Sequence, residues 1–260
     1  MRKILLTTVG VTALAVSANA TDFTLSGTAK VKVADDGNTS VDVSTAIGVS
    51  KTFDNGMVLS LSNNNMANAG ELTIKSDAIS VTFGDYDQNE KNPGLNGNAA
   101  AADITGDGIT AANHSNAGAI SLGATVAGMG VGAAMNNDGD TMFGASFTTD
   151  MGGMAMTIGG DVHSDNTSSA DETAMGVKAT IGSLVVVANS VQKEAAAGVD
   201  VTTYSAAYTT GGLVIGFQGA DNDASSYSAT YTIVPGMQFE IGSLDNGTTS
   251  TSSAELQMTF

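Results

Sequence analysis

Hydrophobic and polar residues alternate along this chain with a period of two. Between Phe23 and Val33 the odd positions hold Phe23, Leu25, Gly27, Ala29, Val31 and Val33, and the even positions hold Thr24, Ser26, Thr28, Lys30 and Lys32. Successive side chains of a strand point to opposite faces, so this run predicts a strand with one apolar and one polar side. Val41, Val43, Ile47, Val49 and Phe53 repeat the pattern against Asp42, Ser44, Gly48, Ser50 and Thr52. Leu72 and Ile74 oppose Glu71, Thr73 and Lys75, and Met175, Val177 and Ile181 oppose Glu172, Lys178 and Thr180. The reading continues through Met237, Phe239 and Ile241 to Ala254, Leu256, Met258 and Phe260, for sixteen segments in all. Residues 184–191 are apolar on both parities and take no orientation from the pattern. No period of three to four residues, the mark of an amphipathic helix, occurs in residues 21–260 outside the stretch 86–116.

The connections fall into two classes. Tight ones follow the even segments, among them Asp54-Asn55-Gly56, Ala127-Gly128-Met129, Gly182-Ser183 and Pro235-Gly236, and they are rich in residues that tolerate turn dihedrals. Those after odd segments, such as 164–170, 194–198, 221–224 and 245–249, tend to be longer and richer in Asn, Asp and Ser. Two alternating classes mean two different ends of one barrel. A last segment with an apolar face would be an unprotected sheet edge, and pairing with the first segment removes it. The pattern therefore predicts an all-β protein, a transmembrane antiparallel up-and-down β-barrel of 16 strands. Twelve or fourteen strands follow if some short segments pair differently. A soluble sandwich or β-solenoid would alternate as well. The lack of a fixed repeat speaks against a solenoid, and the two turn classes favour the membrane barrel. Outer-membrane barrels have short periplasmic turns and longer external loops, which puts both termini on the periplasmic side. Phe23, Phe53, Phe147, Tyr208 and Phe260 then fall near the periplasmic rim as an aromatic girdle.

The N-terminal segment supports an exported protein. Met1-Arg2-Lys3 is basic, residues 4–16 are an apolar run of 13, and Ala18-Asn19-Ala20 is a small-x-small cleavage site, the three parts of a secretory signal peptide. The run is short of the roughly 20 residues of a membrane-spanning helix. Residues 1–20 are accordingly read as a cleaved signal peptide and 21–260 as the barrel. Without Arg2 and Lys3 there are 7 basic against 26 acidic residues, 7 − 26 = −19. Such a balance excludes nucleic acid as a partner. There is no cysteine, so no disulfide contributes to stability.

The connection 86–116 is far longer than the others and follows the fifth segment, which makes it the third external loop. A connection of this length is uncommon unless it is functional or disordered. Asp87, Glu90, Asp103 and Asp107 lie in it, with Asp85 just before, against Lys91 and His114. Together with Ala18-Asn19-Ala20, the first-strand sequence Asp22-Phe23-Thr24-Leu25-Ser26-Gly27 and the terminal Phe260, this layout resembles a general diffusion porin of the Gram-negative outer membrane, of the alphaproteobacterial type. The resemblance covers residues 21–260 but rests on layout and end signatures, and 260 − 20 = 240 residues is short for such a barrel. It implies a homotrimer embedded in lipid and lipopolysaccharide. It also implies a third loop folded into the lumen, and a terminal Phe260 that belongs to the signal read by the barrel-assembly machinery. The expected activity is passive diffusion of small hydrophilic solutes and ions.

Porins of this kind set basic residues across from an acidic third loop. Lys30, Lys32, Lys75 and Lys178 on the inward parity are the basic candidates, and Asp85, Asp87, Glu90, Asp103 and Asp107 the acidic ones. The excess of acids predicts a mild cation preference, since lumen width and lining charge set selectivity. Asp103-Ile-Thr-Gly-Asp107-Gly108 offers candidate Ca²⁺ ligands at Asp103 and Asp107 but lacks EF-hand spacing; no other cofactor is expected. No enzyme is expected either: the chain has no cysteine, its histidines are His114 and His163, and it carries no Gly-x-Ser-x-Gly elbow or phosphate loop. The alternative from another functional class is a non-conducting surface protein, an adhesin or a structural barrel.

Overall fold

A computed structural model describes residues 21–35, 39–63, 70–93, 116–166, 171–193, 200–221 and 223–259. The signal-peptide segment 1–20 and Phe260 lie outside the described residues. The strands are β1 (Thr21–Ala34), β2 (Thr39–Thr52), β3 (Val58–Asn63), β4 (Glu71–Lys75), β5 (Ile79–Phe83), β6 (Ile120–Val126), β7 (Met129–Met135) and β8 (Thr141–Asp150). They continue as β9 (Met154–Ser164), β10 (Glu172–Ile181), β11 (Leu184–Lys193), β12 (Val201–Thr210), β13 (Leu213–Ala220), β14 (Ser225–Val234), β15 (Met237–Asp245) and β16 (Ser250–Thr259). Each pairs antiparallel with its neighbour in sequence, and β1 pairs antiparallel with β16, so the sheet is a closed barrel of sixteen strands. Every described element is a strand.

Closure keeps the alternation in phase. Ala29 pairs with Met258, Val31 with Leu256 and Val33 with Ala254, while Lys30 faces Gln257 and Lys32 faces Glu255. A slip of one residue would turn every side chain of a strand to the other face. The short turns hold the same phase. In the β6–β7 hairpin both central residues have positive φ, Ala127 at 51° and Gly128 at 81°, the twist that matches paired strands. Glycine adopts that region without penalty, and alanine does so only under strain.

The burial pattern is inverted relative to a water-soluble domain. Val43 is 68% exposed, Phe143 66% and Met175 63%, whereas His163, Glu172, Asp161 and Asn92 are among the largest fully buried side chains. An outer surface of this kind is matched to hydrocarbon, where every backbone N–H and C=O must be paired within the protein and a closed sheet achieves that. Phe53, Phe147 and Tyr208 are exposed near the short-turn end, as expected for a rim girdle; the Phe23 side chain and Phe260 are outside the described residues. At the opposite end of the outer wall, Tyr204, Phe217 and Tyr227 form a tilted aromatic series with centroid separations of 5.8 and 5.1 Å. β11 acquires its orientation here. Val187, Asn189 and Val191 are buried on the inner face, while Val186 is exposed on the outer one.

Ile158 and Thr157 are neighbours on β9 with opposite faces, Ile158 exposed on the outer wall and the Thr157 hydroxyl 2.9 Å from that of Thr148 on the inner one. Ile158→Arg is expected to destabilise the folded barrel in lipid vesicles by about 2–4 kcal/mol, the range for a cation near the bilayer midplane. Thr157→Arg is expected to cost distinctly less. Urea titration of the two variants checks the assignment of faces.

Candidate functional site

Residues 84–119 connect β5 to β6; of these 84–93 and 116–119 are described, and 84–93 cross the inner face of the barrel. It lies in a trench made by the sequence. Gly123 on β6 pairs with Gly132 on β7, Gly132 with Gly144 on β8, and Gly144 with Asp161 on β9. All three glycines occupy inward positions. A Cβ at Gly123 would overlap the Asn89 side chain, and one at Gly132 the Asn89 carbonyl oxygen. One at Gly144 would overlap the Asp161 carboxylate and press within 3.2 Å of Lys91 Cβ. Glycine is needed here for close backbone approach.

Polar side chains fasten the segment along this row. The Ser80 hydroxyl on β5 donates to Asn89 Oδ1 at 2.9 Å, and Asn89 Nδ2 donates to Ser121 Oγ on β6 at 3.0 Å. The Asp161 carboxylate accepts the Lys91 N–H at 2.7 Å and the Asn92 N–H at 2.5 Å, one on each oxygen. Asn92 Nδ2 then donates to Asn189 Oδ1 on β11 at 2.7 Å. These contacts span β5 to β11. Upstream, the Tyr86 N–H donates to Asn116 Oδ1 at 2.7 Å, drawing the two ends of the connection together. The Tyr86 side chain is fully buried with Ala119, Ala134 and Met142.

A charged cluster sits at the same place. His163 Nε2 on β9 is 3.5 Å from Glu90 Oε1, with the two side chains 1% and 6% exposed. Burial, then the neighbouring Asp87, Asp161, Asp85 and Glu172 carboxylates, push Glu90 up to about 8. Burial lowers Lys91, and the Asp161 charge acts in the opposite direction. Burial and then the surrounding carboxylates, Asp140 first, raise Tyr86.

The basic candidates lie on the other side of the lumen. Lys30 Nζ is 3.2 Å from Glu255 Oε1. Lys32 is exposed opposite Glu255 in the ladder, and Lys75 is exposed at the end of β4. Glu240 accepts a hydrogen bond from the Thr230 hydroxyl at 3.1 Å. Lys178 is half-buried on β10, across from Thr157 and Val187. The inner face is thus divided. From β6 to β14 many inward polar side chains are buried, including Ser121, Asp161, Glu172, Asn189 and Gln218. From β15 through β16 and β1 to β4, the inward Glu240, Glu255, Lys30, Lys32, Glu71 and Lys75 keep access to solvent. Asp85 and Asp87 are half-buried at the base of the connection, and Asp103, Asp107 and His114 lie outside the described residues.

Glu90 stands out in the sequence as an acid of the long connection, whereas its partner His163 and the anchors Asn89, Asn92, Asp161 and Asn189 do not. The available signal was glycine on the inward parity of three successive strands, which marks a wall that something must approach.

Solved structures share this architecture. A triply substituted form of the Rhodopseudomonas blastica porin superposes with a TM-score of 0.67 at 12% identity, over 92% of this chain and 100% of that one. A doubly substituted form of the same porin gives a TM-score of 0.65 at 12% identity with the same coverage. A structure titled for the asymmetric conductivity of engineered proteins matches equally, with a TM-score of 0.65, 12% identity and coverage of 92% and 100%. The chain has a porin fold. No protein-family model matches the sequence, and no curated protein does. At this identity the likeness concerns the porin fold alone.

If the glycine row seats the segment, filling it must unseat the segment. Gly132→Leu is expected to raise the rate of limited proteolysis within 84–119 by tenfold or more, since 1.4 kcal/mol is already a factor of ten in an opening equilibrium. Ala133→Leu, on the outer face of the same strand, is expected to leave that rate unchanged.

Proposed function

We propose that this protein is an outer-membrane channel through which small hydrophilic solutes and ions diffuse passively. The observation that carries the reading is the divided inner face of a closed sixteen-strand barrel. One arc of that face holds solvent-accessible charges of both signs, while the outer face is apolar. Barrels of about this strand number are wide enough to hold an aqueous channel, whereas eight strands are filled by their own side chains. In this reading the connection 84–119 occupies part of the lumen and narrows the passage. The mixed arc of Lys30, Lys32, Lys75, Glu71, Glu240 and Glu255 faces the solute. Asp85 and Asp87 contribute negative charge at the base of the loop, with Asp103 and Asp107 further along it, and Lys178 adds a positive wall charge.

The same reading makes the channel mildly cation-selective, because acidic residues outnumber basic ones 26 to 9 over the whole sequence. It places the protein in a Gram-negative outer membrane as a homotrimer, with periplasmic termini and contacts to lipid and lipopolysaccharide. Phe260 serves as part of the assembly signal. The chemistry is passage, with no catalytic step.

Purified protein in a planar bilayer is expected to give discrete conductance steps. In a salt gradient its reversal potential is expected on the cation side. Glu255→Lys reverses one wall charge beside Lys30 and is expected to move that potential toward the anion, whereas Lys32→Glu is expected to move it further toward the cation. Failure of the folded barrel to conduct would exclude the channel and leave a structural or surface-binding barrel. Anion preference in the unaltered protein would overturn the charge assignment.

A further inference from the structure

Three donor groups converge where the segment after β5 meets β9. Asp87 and Glu90 belong to one turn, in which the Glu90 N–H donates to the Asp87 carbonyl at 3.1 Å. Asp85 Oδ1 holds the start of that turn by accepting the N–H groups of Asp87 and Gln88, each at 3.0 Å. His163 reaches the turn from the inner face of β9. One ligand atom from each of Asp87, Glu90 and His163 lies within 4.8 Å of the other two.

The spacing is that of a coordination sphere about to close. Two donors bound at about 2.0–2.1 Å to a tetrahedral ion stand roughly 3.3–3.4 Å apart. His163 Nε2 and Glu90 Oε1 are 3.5 Å apart, on side chains almost wholly withdrawn from solvent. Asp87 is half-buried and can complete the set by turning its carboxylate. The surroundings favour positive charge: Glu172 lies directly across from His163 in the ladder, and Asp161 is two residues before it on the same face. Buried carboxylates gathered around one imidazole are costly unless a cation or protons offset them.

The donor type selects the ion. Ca²⁺ and Mg²⁺ take oxygen ligands, whereas an imidazole with carboxylates suits borderline first-row ions such as Zn²⁺. We propose that Asp87, Glu90 and His163 form a binding site for one divalent first-row transition cation, which ties the start of the long connection to β9. The site does not depend on the channel reading.

The test uses the full-length barrel in detergent after treatment with a chelator. Titration with Co²⁺, followed by ligand-field absorption, is expected to saturate at one equivalent. One equivalent of Zn²⁺ is expected to displace the cobalt, and excess Ca²⁺ to leave it bound. His163→Ala is expected to abolish the absorption, and Glu90→Gln to weaken binding at least tenfold, as even outer-shell changes at metal sites do. Circular dichroism verifies the barrel of each variant. Should His163→Ala fail to fold, Glu90→Gln and Asp87→Asn carry the test. Absence of saturable binding in the unaltered protein would overturn the proposal, as would equal affinity in the folded variants. Binding and conductance are read separately, so a barrel that binds cobalt without conducting refutes only the channel, and a conducting barrel that binds none refutes only the site.

Discussion

Every part of this structure depends on one constraint: in hydrocarbon, an unpaired backbone N–H or C=O has no solvent to turn to. The pairing of β1 with β16 meets that constraint at the only seam an up-and-down barrel has. It also transmits information. Because Val31 meets Leu256 and Lys32 meets Glu255, inner and outer parity agree across the seam. The whole chain then presents one apolar outer wall and one polar inner wall. The positions of Lys30, Asp161 and His163 inside the barrel follow from that agreement.

The inner wall is not uniform, and the reason is again backbone chemistry. A segment brought inside a barrel needs partners for its own N–H groups. Asp161 supplies acceptors for two of them, and the glycines at 123, 132 and 144 let the main chain come close enough to reach it. The cost is a dry arc containing Glu90, Glu172 and His163. On the opposite arc, from β15 to β4, the inward Lys30, Glu255 and Glu240 keep their access to solvent.

Much of the architecture could be read in the sequence because lipid and water impose opposite demands at a period of two. Phe23–Val33 declared both its faces, and the segments at 72–75, 175–181 and 237–241 did so too. Turn residues such as Asn55-Gly56 and Gly182 marked one end. Residues 184–191 could not be oriented because part of the inner wall is itself dry: Val187 and Val191 face inward and are buried, so apolarity there does not mean lipid. The anchors of the inner segment were hidden for a different reason. Lys91 and Asp161 are far apart in sequence and meet only because a row of residues runs laterally across β6 to β9. No local pattern encodes such a row. Its trace was the coincidence of three inward glycines, visible once strand register is known.

The seam offers the most direct measurement, and the absence of native cysteine makes it a clean one. Val31→Cys combined with Leu256→Cys places two thiols opposite each other on the outer face of the β1–β16 pair. On mild oxidation of the barrel in detergent, an intramolecular disulfide is predicted to form readily. A slipped pair, Val31→Cys with Gln257→Cys, puts the thiols on opposite faces and is predicted to remain reduced. Efficient cross-linking of the slipped pair, or none in the matched pair of a folded barrel, would contradict the closure on which the rest depends.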